Sequence, residues 1–289
     1  MSGRADQSSV LCVGRLYCDL IFTGLPRMPT TGTEVFSKGV GLHAGGGAAI
    51  TAGHLSSLGH RTALAARLPA GAFGDLIAAE LAGFGVDLGH CERTPDGSDP
   101  QMTVALVHDG ERAFVTHREG PAFGHLDADD LVAGGIRHVH IGEAATLVDH
   151  PELIDIARAA NASLSLDCGW DDDMETEALA RLLPEVDVFL PNADEVAFLH
   201  RSGLSDPLAR LTVVKQGKRG ATALTSHDEI HAPALPAEVV DTTGAGDAFN
   251  AAFLSAWLGE ASLRTCLERG NARGAAVVAH KGGLGGPCR

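Results

Sequence analysis

The chain has 289 residues, 45% of them hydrophobic, and a formal charge of −15. That length is within reach of a single large α/β domain spanning 1–289, and the acidic balance argues against a nucleic-acid partner. The first nine residues are polar and no run approaches ~18 apolar residues, so neither a secretory leader nor a membrane span is expected and the chain reads as cytoplasmic.

Residues 10–14 read as a short buried strand, 48–58 as an Ala- and Leu-rich helix, 62–66 as a strand and 73–81 as an amphipathic helix. Residues 102–107 and 112–116 are strand-like and joined by His108-Asp-Gly-Glu111, where Asp-Gly marks a hairpin turn. A regular alternation follows: strand 138–141, helix 151–160, strand 163–167, helix 175–183, strand 186–190, helix 193–200, strand 211–215. Such alternation predicts right-handed βαβ units and a mostly parallel sheet flanked by helices. A second hairpin, 221–225 with 229–232, precedes two closing helices at about 245–258 and 262–279. Two early strand pairs, 20–23 with 34–41 and the pair within 102–116, break this rhythm.

Six cysteines, at 12, 18, 91, 168, 266 and 288, form no C-x-x-C pair and no zinc-like spacing with histidine, which suits reduced thiols. His138 and His140 flank a strand-like run and read as packing or surface residues. Walker, dinucleotide-fingerprint, nucleophile-elbow and H-E-x-x-H patterns are all absent.

The stretch Asp241-Thr-Thr-Gly-Ala-Gly-Asp-Ala-Phe249 carries the most information. Gly244 and Gly246 stand just before an apolar helical run. A glycine turn opening a helix aims backbone N–H groups, and the positive end of the helix dipole, at one spot suited to a phosphate. Asp247 lies in the first turn. A carboxylate beside an anion site is electrostatically awkward unless it takes a proton from an attacking hydroxyl. The other reading is an N-terminal Asp that only favours its helix dipole. Anion cradle plus base describes phosphoryl transfer to an alcohol.

This stretch resembles the C-terminal signature of the ribokinase (PfkB-type) family of carbohydrate kinases, and the likeness runs from about Val10 to Gly283. The resemblance implies a ribokinase-like α/β fold with a small β lid, built from about 20–42 and 100–118, that commonly pairs lid to lid in a homodimer. It implies a cytoplasmic enzyme moving the γ-phosphate of ATP to a sugar hydroxyl. Asp247 would be the general base, and the N–H groups of Gly244, Ala245 and Gly246 the anion hole. Asp19, ending Gly14-Arg-Leu-Tyr-Cys-Asp19, would hold sugar hydroxyls with Gly45 and Gly46, joined by Glu143 at the C-terminal end of a parallel strand. Arg118 is a further residue within reach of the substrate, or a solvated surface charge. Lys215, Gly217, Gly220, Asn271 and Gly282 would surround the nucleotide. Asn192 and Glu195, of Pro-Asn-Ala-Asp-Glu, would stand near Mg²⁺, although the same pair also reads as a helix capping box. Asp241 and Thr243, with carbonyls near Val278, Lys281 and Gly283, match a loop that binds K⁺ in many members. Ribokinases usually carry Asn where this chain has Tyr17 and Ile50, which points away from ribose. A nucleoside kinase on the same scaffold, or a sugar-sensing module without chemistry, stays open. One tyrosine and two tryptophans leave little to stack a base.

Overall fold

The computed structural model describes residues 8–280 and 282–285, apart from 96, 99, 110, 170 and 172. In chain order its strands are β1 (Ser9–Val13), β2 (Tyr17–Thr23), β3 (Gly39–Gly45), β4 (Arg61–Ala65), β5 (Arg67–Leu68), β6 (Glu92–Arg93), β7 (Met102–His108), β8 (Glu111–His117), β9 (His138–Ile141), β10 (Ser163–Asp167), β11 (Val188–Leu190), β12 (Leu211–Lys215), β13 (Ala221–Leu224) and β14 (Glu229–Ala232). The helices are α1 (Gly47–Ser57), α2 (Gly71–Gly83), α3 (Ala128–Ala133), α4 (Ala144–Asp149), α5 (Glu152–Ala159), α6 (Thr176–Leu182), α7 (Ala193–Arg201), α8 (Ala245–Leu258) and α9 (Leu263–Val277).

The large sheet runs β14-β13-β12-β11-β10-β9-β1-β4. From β4 to β12 every pairing is parallel, and the hairpin β13–β14 closes the edge antiparallel. Side chains alternate between two helical layers. On β1, Leu11 and Val13 join the cluster that holds Leu131, Leu147, Leu153 and Leu199, whereas Val10 and Cys12 face the α1 and α2 residues Leu55, Ile77 and Leu81. On β11, Phe189 turns to the first layer while Val188 and Leu190 pack on Phe253 and Leu267 of α8 and α9. Burial on both faces is what a parallel sheet requires, and it explains the near-continuous apolar runs of these strands.

The chain enters β4 on one side of β1 and β9 on the other, so the strand order reverses at β1. Ligands bind outside the carboxyl ends of the strands at such a crevice. Gly14 and Gly142 follow β1 and β9; a Cβ on Gly142 would lie 2.3 Å from the Ala48 nitrogen, so bare backbone lets α1 dock there.

The lid is a four-stranded sheet, β3-β2-β7-β8. Its second hairpin lies where the Asp-Gly turn predicted it, with Asp109 at φ +49°. The first pair differs from expectation: β3 starts at Gly39, not near 34, and runs to Gly45. Pro26, Pro29 and Gly32 precede it in exposed chain, and the glycine-rich β3 has little intrinsic strand preference. Helices α3 and α4 were not anticipated, although Asp127 and Asp130 form a capping box at the start of α3. His138 and His140 are buried and share the Ser165 hydroxyl, a packing role. Cys12, Cys18, Cys91, Cys168 and Cys266 are free thiols, and Cys288 lies outside the described residues. Among the described residues no helix is long and apolar enough to cross a membrane.

Candidate active site

Helix α8 begins at Gly244, its N-cap, which adopts φ +71°. A Cβ there would fall 2.5 Å from the Gly283 Cα, so both the left-handed backbone and the crowding require glycine. The Ala245 N–H turns back onto the Thr242 carbonyl at 3.3 Å. Gly246, the next residue of the turn, lines a cleft of about 760 Å³, a volume within the usual range for ligand sites. Lys215, Gly217, Gly220, Asn271 and Gly246 all line that cleft. Asn271 is also buried and donates to the Ala232 and Pro233 carbonyls, tying α9 to the end of β14. Gly282 does not line the cleft. Its N–H donates to Asp241 Oδ2 at 3.0 Å, beneath the lid residue His43. A smaller hollow of about 280 Å³ beside α7 is lined by none of the predicted site residues.

Asp247 stands where the N-terminal ends of α1 and α8 meet. A Cβ on Gly47 would lie 3.1 Å from Asp247 Oδ1 and 2.8 Å from the Gly142 carbonyl, so the glycine leaves the carboxylate its space. Below it Lys215, ending β12, donates to Asp167 Oδ1 and Oδ2 at 2.9 and 3.0 Å and to Asn250 Oδ1 at 3.2 Å. Asn250 in turn donates to Asp167 Oδ2 at 2.6 Å. Burial, followed by the charge of Asp167, pushes the Asp247 carboxyl up to about 7 against the opposing pull of Lys215. Glu195 is raised to about 7 by burial and the same neighbour. Burial works against the Lys215 ammonium, but Asp167 and Glu195 outweigh it and keep the lysine charged. Three carboxylates thus share one ammonium, an excess of negative charge suited to a cation.

Asn192 and Glu195 form a complete capping box on α7. Asn192 Oδ1 accepts from the Asp194 and Glu195 N–H groups, and Glu195 Oε2 accepts from the Asn192 N–H at 2.7 Å. One Glu195 oxygen stays free of that box. Among the described residues no three His, Cys, Asp or Glu side chains form a metal cage.

On the other side of Asp247 lies a second polar cluster. Asp19 on β2 faces Gly45, where a Cβ would come within 2.4 Å of every carboxyl atom. Burial raises the Asp19 carboxyl to about 6, moderated by His43 and a hydrogen bond from Thr103. Gly46, at φ +96°, is held against the Arg15 carbonyl. Glu143 precedes α4 and accepts from the Arg15 N–H at 3.2 Å and from the Thr146 hydroxyl at 2.6 Å. Burial and the nearby Glu143 raise the Tyr17 phenol to about 12. Arg118 pairs with Asp171 at 2.9 Å on this rim.

Asp241 and Thr243 sit beside the glycine turn. Asp241 Oδ1 accepts from the Thr243 N–H at 2.9 Å and its hydroxyl at 2.7 Å, and lies 3.3 Å from the Arg112 guanidinium of β8. Arg112 also donates to the Thr243 hydroxyl. Burial alone would raise Asp241; the N–H groups of Thr243 and Gly282, then Arg112, outweigh it and hold the carboxyl low.

Residues 7–286 match the sequence profile of the pfkB family carbohydrate kinases. The chain belongs to that family. It is 28% identical to fructokinase-2 of Zea mays over 83% of this chain and 81% of that one. It is 30% identical to the ATP-dependent ribose-1-phosphate kinase of Halopiger xanaduensis over 96% of this chain and 94% of that one. An E. coli protein solved with ATP and Mg²⁺ superposes with a TM-score of 0.77 at 24% identity, covering 96% of this chain and 94% of the other. The chain is therefore a carbohydrate kinase of ribokinase-like fold.

Sequence reading missed Asp167, Asn250 and Arg112. Asp167 had a visible signal, a carboxylate ending an apolar parallel strand. Asn250 and Arg112 had none, because their partners lie 83 and 131 residues away.

Proposed function

We propose that this chain transfers the γ-phosphate of ATP to a hydroxyl of a plain sugar, with Asp247 as the general base. The observation that carries the reading is the place of Asp247: at the foot of α8, between the glycine turn that borders the large cleft and the Asp19 cluster, with its carboxyl raised to about 7. A base poised near neutrality suits deprotonation of an alcohol as the phosphorus–oxygen bond forms. The Gly244 and Gly246 N–H groups and the α8 dipole stabilise charge on the moving phosphoryl, and the Ala245 N–H joins them once freed from Thr242. Lys215, fixed by Asp167 and Asn250, sets the field under the turn. Mg²⁺ fits the excess carboxylate charge; Glu195 and, through water, Asn192 would hold it, and it would neutralise phosphate oxygens, while Asp167 keeps its bonds to Lys215 and Asn250. Asp19 accepts from sugar hydroxyls, with Gly45, Gly46 and Glu143 shaping the pocket. The lid over this cluster excludes water that would compete for the phosphoryl group.

Tyr17 and Ile50 bear on the acceptor. Ile50 is buried and packs on Gly283, where a Cβ would lie 2.7 Å from its Cδ1, so it offers the sugar no hydrogen bond. Unmet hydroxyls lose roughly 1–3 kcal/mol each. A steady-state panel of D-ribose, D-fructose, 2-keto-3-deoxygluconate, ribose-1-phosphate and adenosine at fixed MgATP tests the reading. A ketose or related sugar should give the highest kcat/KM. Ribose ranking first would overturn the acceptor assignment, and no turnover above background with any of them would overturn the kinase chemistry.

A further inference from the structure

The Asp241 loop does not fit an alkali cation. Both Asp241 oxygens are engaged, Oδ1 by Thr243 and Arg112 and Oδ2 by the Gly282 N–H. The Val278 carbonyl already accepts from the Val240 and Asp241 N–H groups at 2.7 and 3.1 Å. The Gly283 carbonyl accepts from His54 Nε2 at 2.9 Å; Arg273 donates to the other ring nitrogen at 3.0 Å, which fixes the proton on Nε2. Of the oxygens named for a monovalent ion, the Asp241 carboxylate, the Thr243 hydroxyl and the Val278 and Gly283 carbonyls therefore have protein partners, Lys281 lies outside the described residues, and a cation already stands beside the loop. It is the guanidinium of Arg112, which comes from the lid strand β8, and its side chain is only 13% exposed beside an Asp241 side chain that is 7% exposed.

We propose that Arg112 is a built-in replacement for the monovalent cation. It fixes positive charge beside the loop that shapes the Gly244–Gly246 turn, so catalysis needs no K⁺. A planar guanidinium meets Asp241 and Thr243 together, and a monovalent ion would first have to displace it. Because Arg112 belongs to the lid, the charge stands in place when the lid covers the sugar. Arg112 is a positioning residue here, since it touches the loop and not the reacting groups.

The activity arm rests on the kinase reading; the binding arm does not. Wild-type kcat should change by less than about twofold between K⁺ and tetramethylammonium salts at matched ionic strength. Arg112→Met should lose about tenfold or more in tetramethylammonium, on the scale of removing a preorganised charge, and recover part of that loss in K⁺. Arg112→Lys should lose less. By thermal shift, K⁺ over tetramethylammonium should raise the melting temperature of Arg112→Met and leave the wild type unmoved. Strong K⁺ activation of the wild type would overturn the proposal without any variant. So would an Arg112→Met protein equally impaired in both salts. If no acceptor turns over, the kinase reading fails and the thermal-shift comparison alone decides.

Discussion

At the scale of single residues the molecule turns on Asp247, whose chemistry and whose stability pull in opposite directions. In its proposed role as base it must be ionised, and burial with Asp167 nearby raises its carboxyl to about 7. The acid limb of kcat/KM should therefore bend near pH 7 and fall about tenfold per unit below it, measurable in a coupled assay across buffers. Asp247→Asn should lower kcat by at least ~10²-fold while ATP still binds, and near-normal turnover would remove Asp247 from the mechanism. The same shift has a stability sign. A carboxyl raised in the folded state favours folding at low pH, and that contribution is lost as pH rises through about 7. Above it, ionised Asp247 opposes folding. Asp247→Asn should then melt higher than the wild type, by a few degrees at about pH 8, with the gain shrinking toward the ordinary carboxylate range. Equal melting points at both ends of that range would mean the carboxyl is not perturbed.

At the scale of elements, helix ends were the most readable features and helix contacts the least. The Asn192–Glu195 capping box and the Gly244 turn are local hydrogen-bond patterns written in four or five consecutive residues. Gly270 shows the opposite. Within α9 it looks like a weak helix residue that alanine would improve by about 1 kcal/mol. In the fold a Cβ there would lie 2.6 Å from the Phe249 ring, which lines the large cleft and stacks on Phe253 at 6.1 Å. Overpacking of that kind costs about 1–3 kcal/mol. Gly270→Ala should lower the melting temperature and raise the KM for ATP, since Phe249 must shift. An unchanged melting point would show that α8 and α9 separate freely.

At the scale of the whole molecule, sheet topology divides the site in two. The ends of β1 and β9 and the lid hold the Asp19 cluster; the ends of β10, β11 and β12 hold Asp167, Asn192 and Lys215 beside the nucleotide-sized cleft. Asp247 on α8 stands between. Ligands that meet only at the transferred phosphoryl should respond separately to mutation. Asp19→Ala should raise the KM for the sugar roughly tenfold or more, the loss expected when hydrogen bonds to a charged group disappear, and leave the KM for ATP nearly unchanged. Equal effects on both constants would make Asp19 a structural residue.

The alternation of apolar runs with helical periods was enough to read the α/β class, and the likeness of Asp241–Phe249 to a family signature pointed to the carbohydrate kinases. Those are local signals: periodicity reports which face is buried, and a turn needs only its own residues. The start of β3 was misplaced because a glycine-rich strand has no propensity of its own and forms only by pairing with β2. Tertiary structure alone decided which charges meet. Asp167, Lys215 and Asn250 come from two strand ends and a helix, and Arg112 reaches Asp241 from the lid. Spacing along the chain encodes none of these contacts, because each depends on strand order and on how deeply neighbouring charges are buried. The same burial carries the Asp247 carboxyl from the ordinary carboxylate range to about 7.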